Sequence, residues 1–245
     1  MLLKVLGSSS SGNGYLFEGK HEALVIEAGV KYSVLKQAID YKVSKIAGVL
    51  VSHSHSDHAG QLGYYLREGL EVFVSEATAE ETGCSSHHRA HVIDANKAFF
   101  INSFHVLPFE VVHDVRCFGF LISHPESGRF VFITDTHYSP AVFRGLNNVI
   151  IETNYSEKII DKRLASGQIN STYYDRVLRS HMSLETACDF LKANDLKEVN
   201  KIVLIHLSDG NSDAKGFKQK VEQLTGKTVE VAEAGAEISF EQYHF

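Results

Sequence analysis

Apolar residues gather in short blocks that stop at polar or glycine-rich punctuation, the pattern of buried strands. Leu3 to Leu6, Tyr15 to Glu18, Ala23 to Gly29, Ile46 to Val51, Glu71 to Ser75 and Ser103 to Val112 each read as a strand or a strand with its turn. So do Phe118 to Ser123, Arg129 to Thr134, Val149 to Tyr155 and Lys201 to Ile205, with closing strands expected between Glu230 and Phe240. Helical spacing predicts a helix over Tyr32 to Tyr41, through Val34, Leu35, Ala38 and Ile39. Further helices are expected over Glu76 to Thr82, Lys158 to Leu164, Tyr173 to Leu178 and Ser183 to Leu191, the last with Ser183 at its N-cap, and from about Asp213.

One strand end stands out chemically. The apolar run Ile46 to Val51 passes directly into Ser52-His53-Ser54-His55-Ser56-Asp57-His58. Imidazole nitrogens and carboxylate oxygens are the donors that zinc, iron or manganese accept. His53 and His55 alternate with serines, so two imidazoles can point to one side of an extended segment. Asp57 and His58 fall where the chain turns into the periodic run Gln61, Leu62, Tyr65 and Leu66, and can reach a neighbouring point from the first turn of a helix. One segment can therefore feed two metal positions.

This His-X-His-X-Asp-His stretch resembles the signature of the metallo-β-lactamase-fold hydrolases, and most of the chain follows the order of landmarks of that superfamily. The resemblance implies an α/β fold, a four-layer αββα sandwich with two mixed sheets and a metal site at the sheet edges. It also implies further ligands: His113 closing the strand Ser103 to Val112, Asp135 in Asp135-Thr136-His137, and His206 after Lys201 to Ile205. His53, His55 and His113 would make one site, and Asp57, His58 and His206 the other. Asp135 would span both, since the two oxygens of one carboxylate can each take a cation. The implied cofactors are two divalent metal ions, zinc foremost, with manganese or iron as alternatives.

Gly7-Ser8-Ser9-Ser10-Ser11-Gly12-Asn13-Gly14 lacks the ending of a nucleotide-binding Walker A loop and reads as a flexible turn or a hairpin connection. It resembles the opening of the YycJ/WalJ-type branch of the superfamily, which would place its hydroxyls and N–H groups in the substrate cleft. Arg179-Ser180-His181-Met182-Ser183 resembles that branch's Gly-His-Leu-Ser. The branch implies phosphodiester hydrolysis, exonucleolytic on DNA. Asp57 and His181 are the candidate catalytic residues, His181 to protonate the leaving oxygen or to hold a phosphate oxygen.

Departures from the branch carry information too. Glu152-Thr153-Asn154-Tyr155-Ser156 stands where the branch reads Glu-Ser-Asn-His-Asp, which removes any catalytic histidine at position 155 and leaves Glu152 and Asn154 to shape the cleft. Glu27 stands near a common aspartate and is expected to support the site or face solvent. His137 replaces a common glycine as a neighbour of the site, and His105 reads as structural. Cys84 to His91 reads as a loop at the cleft mouth, with Arg89 available to an anionic substrate. The span from Asp135 to His206 is too short for the β-CASP insertion of ribonuclease J-type enzymes.

With 245 residues and 44% hydrophobic content the chain can bury a sizeable core, and no linker divides it, so residues 1–245 are expected to form one domain. The net charge of −6 shows no basic footprint for tight non-specific duplex binding, although bound dications would add local positive charge. Cys84, Cys117 and Cys188 are odd in number and widely spaced, as in a reducing compartment. No signal-peptide core and no apolar run of roughly 20 residues is present, so the expectation is a soluble, cytoplasmic protein with no membrane partner. The expected partner is a nucleic acid or a small phosphodiester. The competing readings are a small-molecule hydrolase acting on a cyclic phosphodiester, lactone or thioester, a di-iron oxidoreductase lacking its flavin domain, and a metal-binding module without turnover.

Overall fold

The computed structural model describes residues 1–240, and the apolar blocks become strands of two seven-stranded sheets. The first six strands are β1 (Leu2–Ser9), β2 (Gly12–Glu18), β3 (Ala23–Ile26), β4 (Ile46–Leu50), β5 (Val72–Val74) and β6 (Ala90–Val92). The second sheet takes β7 (Phe99–Ile101), β8 (Phe104–Val111), β9 (Cys117–His124), β10 (Gly128–Ile133), β11 (Asn148–Glu152), β12 (Lys201–Ile205) and β13 (Thr228–Val231). The two closing strands part company: β13 stays in the second sheet, while β14 (Glu237–Ser239) returns to the first and pairs with β1, Leu3 opposite Ile238.

Both sheets are mixed, and in the same way. β14, β1, β2 and β3 are antiparallel neighbours, and β3 to β6 are parallel. In the second sheet β7 to β10 are antiparallel neighbours and β10 to β13 are parallel. The sequence shows no repeat, yet the chain builds the same half twice.

Strands here are apolar on both faces because both faces are covered. In β12, Val203 and Ile205 point into the core between the sheets, whereas Ile202 and Leu204 point outward under helices. Phe17 of the first sheet stacks on Phe130 of the second at 4.8 Å between ring centroids. Each such fully buried ring contributes about 1.5–3 kcal/mol relative to an exposed one.

Helices α1 (Tyr32–Ala38), α2 (Ser56–Ala59), α3 (Leu62–Arg67) and α4 (Glu76–Glu81) follow the parallel strands of the first sheet. Leu35, Leu62, Tyr65, Leu66 and Ala79 cover its outer face. Helices α5 (Glu157–Ala165), α6 (Ser171–Ser180), α7 (Leu184–Ala193) and α8 (Ala214–Thr225) belong to the second half. Leu184, Ala187, Phe190, Phe217 and Val221 cover the second sheet, which completes the αββα layering. α5 and α6 instead share a small cluster of their own, Ile160 and Val177 around Tyr155. The expected N-cap is in place, Ser183 Oγ accepting from the Thr186 N–H at 3.0 Å.

The Gly/Ser stretch resolves as a tight hairpin. Gly7 pairs with Gly14, Ser8 with Asn13 and Ser9 with Gly12, leaving Ser10 and Ser11 as the turn. The glycines are required by close approach: a Cβ on Gly7 would lie 2.5 Å from the Gly12 carbonyl oxygen, and one on Gly14 2.6 Å from Val30 Cγ2. All three cysteines are buried and unbridged. Among the described residues no helix is long and apolar enough to cross a membrane.

Candidate metal centre

β10, β11 and β12 are parallel, and β8 runs in their direction because β9 is antiparallel to both β8 and β10. Their ends therefore open on one rim, where an α/β sheet releases side chains from backbone pairing and can aim them into a crevice. The chain leaves β8 toward His113, β10 toward Asp135, β11 at Glu152 and β12 at His206. β4 of the facing sheet delivers His53, His55, Asp57 and His58 to the same rim. Asp135 and His206 turn sharply there, with φ of 40° and 55°, as does Glu27 with φ of 71°. For non-glycine residues that left-handed backbone costs on the order of 1 kcal/mol each, a strain typical of functional sites.

All seven sequence-selected residues converge. Donor atoms of His53, His55, His113 and Asp135 lie within 4.8 Å of one another, and so do those of Asp57, His58, Asp135 and His206. Asp135 is common to both groups. Its Oδ2 is 3.8 Å from His53 Nε2 and 4.0 Å from His113 Nε2, while its Oδ1 is 3.3 Å from His58 Nε2 and 3.2 Å from His206 Nδ1. Asp57 Oδ2 lies 3.3 Å from His58 Nε2 and 3.4 Å from His206 Nε2.

Supporting groups aim the imidazoles. His113 Nδ1 donates to the Ser180 carbonyl at 2.9 Å, which leaves the Nε2 lone pair facing the centre. His53 Nδ1 lies 2.8 Å from Ser52 Oγ. Glu27 is fully buried, accepts from the Ser52 N–H at 3.2 Å and stands 3.4 Å from His58 Nδ1. Asn13, on the glycine-rich hairpin, donates to Asp57 Oδ2 at 3.2 Å. Ser8 Oγ of the same hairpin accepts from the His206 N–H at 2.9 Å, so the hairpin braces both halves of the centre.

The donor set fits divalent cations. Among the described residues His53 Nε2 and His206 Nε2 are buried with no hydrogen-bond partner, an expensive arrangement for a polar atom that faces no cation. His113 Nε2 and His55 Nδ1 face each other at 3.3 Å, two imidazole nitrogens brought together at the same point. Burial and the neighbouring His58 hold His53 well below the ordinary histidine range, and burial lowers His113 against the pull of Asp135, so both keep a free lone pair. Burial alone would raise Asp135, but His206 and His58 hold it well below the usual carboxylate range. His206 shows the converse: burial would lower it, yet Asp135, Asp57 and Glu152 push it up to about 10. Without a cation, protonated His206 and His58 supply the positive charge that the carboxylates require.

Glu152 plays a larger part than its sequence context suggests. It is fully buried at the end of β11, and its Oε1 lies 2.7 Å from His181 Nδ1 and 3.2 Å from His206 Nδ1. Its Oε2 accepts from the N–H groups of Thr136 at 3.0 Å and Met182 at 3.1 Å. With Asp135, His181 and His206 it forms a third group of donors within 4.8 Å. The only available sequence signal was an acid closing an apolar strand. Tyr155, at the departure from the branch pattern, is buried and bridges to Ser183, consistent with a structural role.

Arg89 has no place at the cleft, which corrects the expectation for that loop. It is ion-paired to Glu71, and both residues precede parallel strands, β6 and β5, at the edge opposite the histidines. His91 is bonded to the same Glu71 at 2.6 Å, and His87 and His88 stack on each other, so the local acid is already used. His105 packs on Phe100 within the β7–β8 pair, as its structural reading requires. His137 is exposed and outside the donor groups.

A family model described as "Beta-lactamase superfamily domain" matches residues 25–207. Among curated proteins the chain is 25% identical to the exodeoxyribonuclease WalJ of Streptococcus pneumoniae, over 98% of this chain and 92% of that protein. It is 27% identical to the exodeoxyribonuclease YycJ of Bacillus anthracis, over 90% and 87%. Among solved structures, the metallo-β-lactamase fold protein YhfI of Bacillus subtilis superposes with a TM-score of 0.72 at 18% identity, over 97% of this chain and 98% of that one.

Proposed function

The chain belongs to the β-lactamase superfamily, and from that premise we propose that it is a metal-dependent phosphodiesterase acting on nucleic acid. The observation that carries this reading is the pair of four-donor groups sharing Asp135. One cation would be held by His53, His55, His113 and Asp135, the other by Asp57, His58, His206 and Asp135, with zinc the metal best suited to this histidine-rich set. When bound, such a pair would supply a water acidified to near neutral pH and positive charge against the negative charge that develops on a phosphoryl group. The names of the two curated relatives favour DNA. The core shared by both sheets supports reading residues 1–245 as one domain.

The protein's own groups account for the remaining steps. Asp57 and Asp135 stay ionised and orient the centre. His181 sits at the rim with its side chain 21% exposed and its Nδ1 fixed by Glu152, so Nε2 is free to meet substrate. Burial opposes protonation of His181, but Glu152 and Asp135 outweigh it and raise its pKa above the ordinary histidine value. A protonated Nε2–H is then available to the leaving oxygen.

The test is hydrolysis of bis(p-nitrophenyl) phosphate beside a 5′-labelled single-stranded oligonucleotide, with His181→Ala for comparison. Conversion of the oligonucleotide to mononucleotides, lost in the variant, supports the nuclease reading and the direct role of His181. Turnover of the small diester alone would move the assignment to a small-molecule hydrolase.

A further inference from the structure

Lys158 and Lys162, four positions apart, share a face of α5, and Arg163 follows at its edge. With Lys220 of α8 they line a cleft of about 1100 Å³. Among the described residues the one carboxylate lining it, Asp213, is engaged in capping α8, accepting from the Gly216 N–H at 3.0 Å. Through Arg163 and Gly210 this cleft adjoins a second of about 330 Å³, whose walls include Tyr173, Arg176, His181 and His206. Through Arg176, His181, His206 and Ser10 the second adjoins a third of about 320 Å³ that contains His55, Asp57, His113 and Asp135. Three adjoining clefts thus lie between the lysines and the candidate metal centre.

Arg163 is built into the wall, and Arg176 stands exposed beside it. Arg163 Nη1 donates to Asn211 Oδ1 and packs on Gly210, where a Cβ would lie 2.4 Å from that nitrogen. Asn211 is fully buried and donates from Nδ2 to the Tyr173 hydroxyl at 3.0 Å, and Arg176 lies 5.4 Å from the centre of the Tyr173 ring. Among the described residues none of Arg163, Arg176, Lys158, Lys162 and Lys220 is ion-paired, whereas Lys4, Lys45, Arg89, Arg116 and Lys218 each have a carboxylate. In a chain of net charge −6, five cations outside any ion pair, against Asp213 and Asp209 in the same clefts, leave a local excess of positive charge. Regularly spaced phosphates are the complementary ligand, and an arginine held in place, as Arg163 is, binds one at lower ordering cost than a free side chain.

We propose that this wall, formed by α5, α6, the 209–211 turn and α8, is a phosphate track that carries a nucleic-acid strand to the metal centre. Arg176 and Arg163 hold the phosphates next to the point of cleavage, and Lys158, Lys162 and Lys220 those farther along. The inference rests on the phosphodiesterase reading of the centre and selects a polynucleotide over a small diester as its substrate.

Fluorescence anisotropy of labelled 20-nucleotide single strands, one DNA and one RNA, reads the track whether or not the strand is cut. In the full chain, combined Lys158→Ala, Lys162→Ala and Lys220→Ala is expected to weaken binding by about tenfold or more. It should also flatten the slope of log Kd against log salt by about two, at roughly 0.7 per phosphate contact. Arginine at all three positions should restore both. A control with the same charge loss, Lys20→Ala, Lys42→Ala and Lys197→Ala, should leave both near the wild-type values. Equal affinity and slope in the two alanine variants would overturn the track for either nucleic acid. A strand bound through the lysines but left uncut keeps the track and removes the hydrolase reading; a strand cut while its binding ignores the lysines does the opposite.

Discussion

Glu152 Oε1 and His181 Nδ1 lie 2.7 Å apart, and the same oxygen is 3.2 Å from His206 Nδ1. One buried carboxylate therefore fixes both the residue proposed to meet the leaving oxygen and a residue proposed to hold a cation. Burial disfavours the charged carboxylate, but His181 outweighs that and lowers Glu152 below its ordinary value.

Glu152→Gln keeps the shape of this contact and removes its charge. The expected outcome is a fall in kcat of about 10–100-fold with metal content close to wild type, the usual size of an outer-sphere loss. Steady-state kinetics on protein of measured metal content checks it, and an unchanged kcat would refute the positioning role.

Asp135 is the one residue common to all three four-donor groups. Asp135→Ala should reduce bound metal from two per chain to one or none and lower turnover by about a thousandfold or more. Elemental analysis of dialysed protein gives the first number directly. Two tightly bound metals in that variant would show that Asp135 does not span the sites.

Cation binding should release protons. His58 is raised well above the ordinary histidine value and His206 to about 10, so both are protonated at pH 7 in the metal-free protein, and ligation requires their lone pairs. Affinity therefore rises with pH, by up to about tenfold per unit for each proton released. Calorimetric zinc titrations in buffers of different ionisation enthalpy should report about two protons per chain. No buffer dependence would contradict this protonation state.

Far from the centre, Glu18 lies 2.7 Å from Lys45 Nζ and 2.9 Å from Lys4 Nζ, with its side chain 19% exposed. Burial raises its pKa, but the two lysines outweigh burial and hold it below the ordinary value. A folded-state pKa below the unfolded one means that the contribution is full above the unfolded value and fades as pH falls through the folded one. Glu18→Gln should cost about 1 kcal/mol at pH 7 and much less near pH 3. Urea unfolding at the two pH values measures the difference.

The candidate ligand set was legible because its largest part is contiguous. His53 to His58 announce themselves by spacing, and His113, Asp135 and His206 each close an apolar strand in the order the superfamily resemblance implies. Glu152 was not legible as a determinant, since an acid at a strand end looks alike whether it meets water or two histidines. Arg89 misled for the matching reason: its partner Glu71 is eighteen positions away and meets it only across paired strands. The groove from Lys220 to Arg176 draws on three helices and a turn, so the overall acidic charge concealed it. The left-handed backbone at Asp135 and His206 left no glycine to mark it.

The most direct test of the central claim is oligonucleotide hydrolysis measured against metal bound per chain, starting from metal-stripped protein. The account predicts no turnover without metal and a rate that climbs to its plateau at two equivalents. Full activity in the stripped protein, or none with two metals bound, would contradict it.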